Sequence, residues 1–175
     1  EAILGLRSIE DGGQILLDGE EISTWSVRRR REALIGYVPE DRHRRGLLLD
    51  APLWENAMLG HQTMEPFARG PLLDRRRSRE ATTRIVKDFD VRTPSIDTSA
   101  RALSGGNQQK VCLARWLVEG LEVLILEEPT RGVDLGARRE LYLALRQWTA
   151  KGLAILLVSS DAEEVAGVCD RAITL

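Results

Sequence analysis

A serine and two glycines directly precede a long helical run in this sequence. Ser104 is followed by Gly105 and Gly106, and residues 108–119 have the composition of a helix. Serine is a favourable helix cap, and glycines let backbone N–H groups approach a ligand closely. A helix N-terminus also carries unpaired N–H groups and a partial positive charge. The stretch is therefore either a phosphate site or an ordinary junction between a loop and a helix.

Two adjacent carboxylates form the second chemical feature. An apolar run over residues 123–126 ends at Glu127 and Glu128. In open α/β sheets ligands bind beyond the carboxyl ends of the strands, so both side chains are expected at such a site. One carboxylate can hold Mg²⁺ through water, and the next can orient and deprotonate an attacking water. Two acids after a strand also occur by chance, but together with the Ser104 stretch they indicate chemistry on a phosphate.

The composition limits the kind of protein that carries these features. The chain has 175 residues, of which 43% are hydrophobic and 30% charged, as in one soluble domain. No apolar run reaches the length of a membrane span. The net charge of −2 and the lack of aromatic residues among the arginine clusters argue against nucleic acid as a partner. Cys112 and Cys169 match no metal or disulfide spacing, which favours a reducing cytoplasm.

The strands that must position these residues follow from short apolar runs and turn signals. They are predicted at residues 14–17, 33–38, 122–126 and 153–158, with a hairpin turn at 18–19 and a further strand beginning at 171–175. The runs at 123–126 and 153–158 within these strands are apolar throughout, as expected for strands buried on both faces. Residues 40–46, 65–71 and 93–102 are predicted to be connectors.

The helices follow from apolar residues that recur every three or four positions. They are predicted at residues 53–59, 108–119, 135–149 and 161–168. A further helix is predicted where Ala81, Ile85 and Phe89 form one apolar face, and residues 1–6 are predicted to be the tail of a helix. The arginine clusters at 28–31 and 75–79 are interpreted as solvated faces. After residue 121 strands alternate with helices, which implies a parallel sheet with crossover helices.

The motifs together resemble those of a known family. The sequence Leu-Ser-Gly-Gly at 103–106, then Leu-Ile-Leu-Glu-Glu-Pro-Thr at 124–130 and Gly-Val-Asp at 132–134, is similar to the nucleotide-binding domain of an ABC transporter. Residues 38–42, 104–110 and 128–134 resemble the second, C-terminal cassette of the ATP-binding subunit of ribose/galactose-type importers. Residues 40–47 and 89–94 are similar to the nucleoside-importing branch of that group.

The resemblance implies an α/β fold, namely the ABC cassette of P-loop NTPases. Residues 1–49 and 111–175 would form the parallel core with a small antiparallel β part. Residues 50–110 would form an inserted helical subdomain that carries the signature motif, residues 104–110. The chain has no N-terminal Met, and the family's phosphate loop would lie upstream of residue 1, so a piece of a longer protein is expected.

The resemblance also implies ATP and Mg²⁺ as cofactors. Ser104, Gly105 and Gly106 would contact the γ-phosphate of an ATP held by a second such domain, and Asn107 and Gln108 are further residues expected to bind the nucleotide. Glu128 would be the general base, and Glu127 would organise Mg²⁺. Glu40 would touch both the Mg²⁺ ion and the membrane partner. Asp134 would lie in the loop that couples two ATP sites, and Ser160 would face the γ-phosphate.

Three positions depart from the family pattern. The position of Glu127 is usually Asp, that of Glu40 is usually Gln, and that of Ser160 is usually a His that senses the γ-phosphate. A serine can hydrogen-bond but cannot take up charge near neutral pH. The sequence Gly-x-x-x-x-Gly-Lys-Ser/Thr does not occur in the chain, and none of its lysines follows a glycine. The resemblance therefore implies weak ATP binding by these residues alone and a contribution made chiefly to the site of another domain.

The resemblance implies a subunit that powers import of a simple sugar or nucleoside by hydrolysing ATP. Its partners would be a second nucleotide-binding domain, in the same chain or in a dimer, and membrane permease subunits. A substrate-binding protein would act through them, at the cytoplasmic face of a bacterial membrane. Two alternatives stay open: a catalytically degenerate docking module, and an ABC ATPase outside transport. The sequence leaves the transported substrate undetermined.

Overall fold

The computed structural model describes residues 1–9, 12–117 and 121–174. The strands are β1 Leu16–Leu17, β2 Glu20–Glu21, β3 Ile35–Val38, β4 Ala68–Arg69, β5 Leu72–Leu73, β6 Val123–Glu127 and β7 Ala154–Val158. The helices are α1 Val27–Glu32, α2 Leu53–Ala57, α3 Arg75–Asp88, α4 Gly105–Ala114, α5 Leu135–Thr149 and α6 Ala162–Val168. A π-helical turn covers Arg42–Gly46, and a 3₁₀ turn covers Ala100–Ala102.

The central sheet has three parallel strands in the order β3-β6-β7. β6 is the middle strand, with Leu126 opposite Val38 on one side and Leu157 on the other. Parallel strands require crossover connections, which the helical segment between β3 and β6 and helix α5 provide. The carboxyl ends of all three strands therefore lie at one edge of the sheet, where the predicted acidic residues follow.

The core lies on both faces of β6. Leu124 and Leu126 pack into a cluster with residues of α4 and α5, while Ile125 packs on the opposite face with Leu4 and Ile22 of the N-terminal segment. Successive side chains of a strand point to opposite faces, so a strand covered on both faces has to be apolar throughout. The prediction of a doubly buried strand here is confirmed.

The helical segment is held together by a buried amide and a packed indole. Asn56 is fully buried, and its amide accepts from the Leu48 N–H at 2.8 Å and donates to the Leu48 carbonyl at 3.0 Å. Gly60 ends the turn after α2 with φ +93°, and a Cβ there would lie 2.6 Å from the Trp116 ring. Only glycine fits both the left-handed backbone and the contact.

Several predicted elements are confirmed. Helix α5 has the predicted bounds of residues 135–149. The hairpin turn at 18–19 joins β1 and β2, and both Asp18 (φ 48°) and Gly19 (φ 84°) are left-handed, as this tight turn requires. β3 lies within the predicted strand at 33–38, and helix α6 begins one residue after its predicted start, with Asp161 as its cap.

Other predictions are wrong. Residues 1–6 form turns and not a helix tail, and residues 171–174 form no strand. The predicted connector at 65–71 contains β4 and leads into the hairpin with β5. Helix α4 begins at Gly105 and ends at Ala114, whereas residues 118–119 of the predicted helix lie outside the described residues. β7 is not a doubly buried strand: Ile155 and Leu157 are partly buried against the core, whereas Leu156 and Val158 are 42% and 49% exposed.

The interpretation of residues 28–31 as a solvated face is wrong for Arg30, which is 2% exposed. Its guanidinium donates to four backbone carbonyls at 2.7–3.1 Å, those of Ala2, Ile3, Ser23 and Trp25. Burial lowers the pKa of Arg30. The fixed fork of an arginine matches several carbonyls at once, so this side chain joins the N-terminal segment to the loop that follows the hairpin.

His61 lies in the aromatic core of the helical segment. Its ring is 4.9 Å from that of Trp116 and 5.9 Å from that of Phe67, and the residue is 3% exposed. Burial lowers the pKa of His61 to about 4, and the charges of Arg115 and Arg31 contribute in the same direction. The imidazole is thus a neutral core side chain at pH 7.

We expect His61 to make the fold sensitive to mild acid. Its pKa of about 4 lies below the ordinary value of 6.5, so the unfolded chain takes up the proton first. The stabilisation is complete above pH 6.5 and falls by about 3 kcal/mol as the pH drops to about 4. Urea denaturation at both ends of this window should show this loss in the wild type and a clearly smaller one in His61→Leu, where only paired carboxylates such as Asp97 still lose stabilisation. Equal losses in the two proteins would contradict this assignment.

Candidate functional site

Glu127 ends β6 and is held by a tyrosine of the neighbouring strand. The Tyr37 hydroxyl donates to Glu127 Oε2 at 2.5 Å. Burial raises the pKa of Tyr37, and the hydrogen bond and charge of Glu127 raise it further, so the phenol stays protonated and remains a donor. In the described part of the chain, Glu127 Oε1 has no hydrogen-bond partner. One oxygen of the predicted Mg²⁺ residue is thereby fixed and the other is available.

Glu128 adopts a left-handed backbone conformation with φ 44°. Its N–H donates to the Val158 carbonyl at 2.8 Å, and the Ser160 N–H donates to its Oε1 at 2.6 Å. Both contacts join the end of β6 to the end of β7. A non-glycine residue pays a steric cost of about 1–2 kcal/mol in this region, and such strain concentrates at functional sites. The carboxylate of Glu128 is half-buried and fixed at one oxygen.

Glu40 lies just beyond β3 and forms an ion pair with Arg131, in the loop that follows Glu128. The two side chains are 47% and 68% exposed, so this pair adds little to stability and is free to exchange partners. The predicted residues Glu40, Glu127 and Glu128 thus meet at the same edge of the sheet.

Asp134 and Ser160 flank this edge. Asp134 caps helix α5, with its Oδ1 accepting from the Ala137 N–H at 3.0 Å. Ser160 is exposed and contributes its backbone N–H to Glu128, while the neighbouring Ser159 hydroxyl donates to buried Glu164 at 2.5 Å. The contact of Ser160 with a phosphate stays a prediction. Its backbone N–H has a further role, which is to orient the carboxylate of Glu128.

The signature residues form the N-terminus of α4. Ser104 is the cap, and the Asn107 amide donates to Ser104 Oγ at 2.9 Å and accepts from the Arg92 N–H at 2.8 Å. Within the described residues, the N–H groups of Gly105 and Gly106 have no acceptor. They are two of the unpaired donors that make a helix N-terminus attractive to anions.

Two adjacent glutamines of α4 are buried, and both are bonded within the chain. Gln108 Oε1 lies 2.7 Å from His43 Nε2, and Gln108 Nε2 donates to the Ala100 carbonyl at 3.1 Å. Gln109 Nε2 donates to the Pro129 carbonyl at 2.9 Å, directly after Glu128. Gln108 was predicted to contact nucleotide, whereas its amide is engaged inside the protein. Sequence reasoning missed Gln109, although two consecutive amides inside a motif are a usable signal of such anchoring.

These residues fit a nucleotide with Mg²⁺ in part. The signature N–H groups suit a phosphate, and the available oxygen of Glu127 suits a hard cation. Over residues 1–9, 12–117 and 121–174, no group of three or more acidic, His or Cys side chains could hold a metal by itself. Since Mg²⁺ takes few protein ligands and keeps waters and phosphate oxygens, Glu127 and Glu40 fit it only together with a bound nucleotide.

Residues 1–131 match the family described as ABC transporter, so the chain belongs to that family. A dimeric ATP-binding cassette in a post-hydrolysis state with ADP and Pi aligns over 86% of this chain and 64% of its own. The TM-score is 0.67 at 20% identity. This likeness shows the shared fold, and it confirms the prediction of an α/β ATP-binding cassette.

The chain is more specifically similar to subunits of import systems. It is 43% identical over 165 residues to ribose import ATP-binding protein RbsA 1 of Streptomyces avermitilis, covering 94% of this chain and 31% of that protein. It is 39% identical over 171 residues to guanosine import ATP-binding protein NupO of Bacillus subtilis, covering 98% and 33%. The chain spans about a third of the length of these curated relatives.

In the described residues, no helix is both long and apolar enough to cross a bilayer.

The left-handed backbone at Glu128 predicts an unusual order of stabilities. We expect Glu128→Gly to be at least as stable as Glu128→Ala, with a gain of up to about 1 kcal/mol, because glycine avoids the Cβ clash. Both variants lose the carboxylate and its hydrogen bond from Ser160, so this loss does not affect the difference in stability between them. The same pair at Glu127, whose backbone is an ordinary strand, should favour Ala. Urea denaturation of the four variants measures this, and a more stable Ala at both positions would refute the strain.

Proposed function

We propose that this chain is part of an ATP-hydrolysing subunit that powers import of a simple sugar or nucleoside across a membrane. Family membership and the similarity to ribose and guanosine import proteins support this proposal. The observation that carries it is the meeting of Glu40, Glu127 and Glu128 at the carboxyl edge of the sheet, beside a helix N-terminus with unpaired N–H groups.

Glu128 is the proposed general base. Its Oε1 accepts from the Ser160 N–H, which leaves Oε2 to take a proton from a water that attacks the γ-phosphate. Glu127 is the proposed Mg²⁺ residue, and Tyr37 holds its carboxylate in one orientation. When bound, Mg²⁺ would neutralise charge that develops on the phosphate oxygens. Glu40 would complete the metal environment once it leaves Arg131.

The signature residues are proposed to act on an ATP held by a second nucleotide-binding domain. The hydroxyl of Ser104 accepts from Asn107, so its own hydrogen is free to donate to a phosphate oxygen. The N–H groups of Gly105 and Gly106 add two more donors. Asp134, at the start of α5, and Ser160 would lie where the two sites communicate and where the γ-phosphate is sensed.

The remaining partners follow from the same proposal. Membrane permease subunits would contact the loop at Glu40, and a substrate-binding protein would act through them. The subunit would then work at the cytoplasmic face of a bacterial membrane. Because an exposed ion pair is weak, a partner that binds Arg131 would release Glu40 at little cost in free energy.

A catalytically degenerate docking module is the second candidate, favoured by Glu40, Glu127 and Ser160 at positions where the family usually has other residues. Such a module would bind the permease but would not depend on Glu128. An ABC ATPase outside transport is a third, and co-purification with permease subunits would separate it from an importer.

Glu128→Gln in the full-length subunit should separate a motor from a degenerate module. An amide cannot take the proton from water, so we expect hydrolysis to fall at least about 100-fold while ATP binding stays within a few-fold. Glu163→Gln makes the same chemical change on the exposed start of α6 and should leave the rate unchanged. Phosphate release measures both, and an unaffected Glu128→Gln would favour the degenerate module.

Gly105→Asp should abolish ATP-driven closure of the two domains. A Cβ at Gly105 would lie 3.1 Å from Arg42 Nη2, and the carboxylate would repel the phosphate it faces. Loss of one charge-assisted phosphate contact costs about 1.5–3 kcal/mol, roughly 10- to 100-fold in affinity. Gly167→Asp adds the same charge where a side chain has open space. Uptake of labelled substrate is the measurement, and normal uptake by Gly105→Asp would rule out the signature role.

A further inference from the structure

The π-helical turn Arg42–Gly46 lies along one face of helix α4. Arg42 Nη2 lies 3.1 Å from the position that a Cβ of Gly105 would take. His43 Nε2 lies 2.7 Å from Gln108 Oε1, and the Gly46 carbonyl accepts from Arg115 Nη1 at 2.5 Å. Their positions on α4 and its C-cap, 105, 108 and 115, are separated by three and seven residues. Such spacings fall on one side of a helix. The turn that follows Glu40 is therefore attached to the whole length of the signature helix.

Arg42 extends this attachment to a third segment. Its Nη1 donates to the Arg131 carbonyl at 3.2 Å, in the loop that follows Glu128. Its Nη2 lies 3.1 Å from where a Cβ of Gly105 would be and 3.8 Å from that of Gly132. The guanidinium is thus placed between the first residue of α4 and the loop after Glu128, with a glycine on either side.

The charges around Arg42 indicate that the contact is not a surface ion pair. Arg45 pairs with Glu1 and Arg131 pairs with Glu40, whereas no carboxylate of the described residues lies within ion-pair distance of Arg42. Its Nε is buried without an acceptor there. The guanidinium donates to the backbone of one motif and lies close to a glycine of the other, so a shift of either motif would displace this planar group.

We propose that Arg42 is a positioning residue that couples two ATP sites. This inference rests on the proposed function, in which the signature residues serve the partner's nucleotide and Glu128 serves the domain's own. When a phosphate draws the start of α4 toward the partner, Arg42 shifts the Arg131 carbonyl and with it the loop that follows Glu128. Occupancy of one site thereby sets the geometry of the other.

The planar fork of arginine is needed for this role. One terminal nitrogen donates to Arg131 while the other lies against Gly105, so the two contacts are separated by the width of a guanidinium. Lysine carries a single ammonium on a flexible stem and reaches either segment but not both. Charge alone should therefore not replace it.

The test compares ATP hydrolysis against ATP concentration in the full-length subunit. Two coupled sites give a Hill coefficient above 1 and up to about 2, and we expect this for the wild type. We expect Arg42→Ala to lower the coefficient to about 1. Arg44→Ala is the matched control: it removes the same side chain from the same turn, and Arg44 is exposed and makes no side-chain hydrogen bond or ion pair in the described part of the chain. It should behave as the wild type.

Arg42→Lys keeps the charge and the stem, and should also show a coefficient of about 1. If Arg42→Ala does not fold, Arg42→Lys takes its place in the comparison with the wild type. A lower maximal rate with an unchanged Hill coefficient would mean that Arg42 is merely structural, and would overturn the inference. A wild type that hydrolyses ATP without cooperativity would overturn it as well. A wild type without hydrolysis would instead contradict the proposed function.

Hydrogen exchange gives a readout that does not need catalysis. We expect Arg42→Ala to speed exchange together in residues 103–109 and 129–134, since the link between them is lost, and Arg44→Ala to change neither. Exchange that changes in one segment only, or in none, would show that Arg42 does not connect them.

Discussion

The parallel pairing of β6 with strands on both sides fixes the position of every acidic group at the site. Leu124 and Leu126 fill one core cluster and Ile125 the other, so β6 cannot shift without exposing apolar surface. A slip of one residue would reverse the faces of all its side chains. It would also separate Glu127 from Tyr37. The chemistry at the end of the strand thus depends on hydrophobic burial along it.

Helix α4 depends on polar contacts as much as on apolar ones. Gln108 and Gln109 are each less than a tenth exposed, and a buried amide without partners would be costly. Their bonds to His43, Ala100 and Pro129 therefore admit one placement of the helix. That placement sets where the N–H groups of Gly105 and Gly106 point. The motif at 104–110 therefore contains both the N–H groups that suit a phosphate and the glutamines that hold the helix in place.

Local signals predicted the fold where burial and periodicity agree. The apolar run of β6, the repeat of α5 and the turn at Asp18 were all readable from the sequence. β7 has the same apolar character, yet one of its faces is exposed, and no local pattern distinguishes the two cases. Long-range contacts were also beyond reach: Tyr37 meets Glu127 across 90 residues, and Arg42 meets Arg131 across 89. Their partners are set by strand register and not by neighbouring residues.

Serine at position 160, where the family usually has histidine, leaves the contact that orients Glu128 unchanged. The contact that orients Glu128 comes from the backbone N–H of Ser160, which histidine would supply equally. Replacing the imidazole removes a group that could carry charge, but it leaves the proposed base in place. At Glu127 the added methylene is accompanied by a hydrogen bond from Tyr37, which restricts the longer side chain. The domain's own site thus keeps an oriented Glu128 but lacks the charge that a histidine could offer the phosphate at position 160. This combination agrees with the proposal that the domain acts mainly on the nucleotide of its partner.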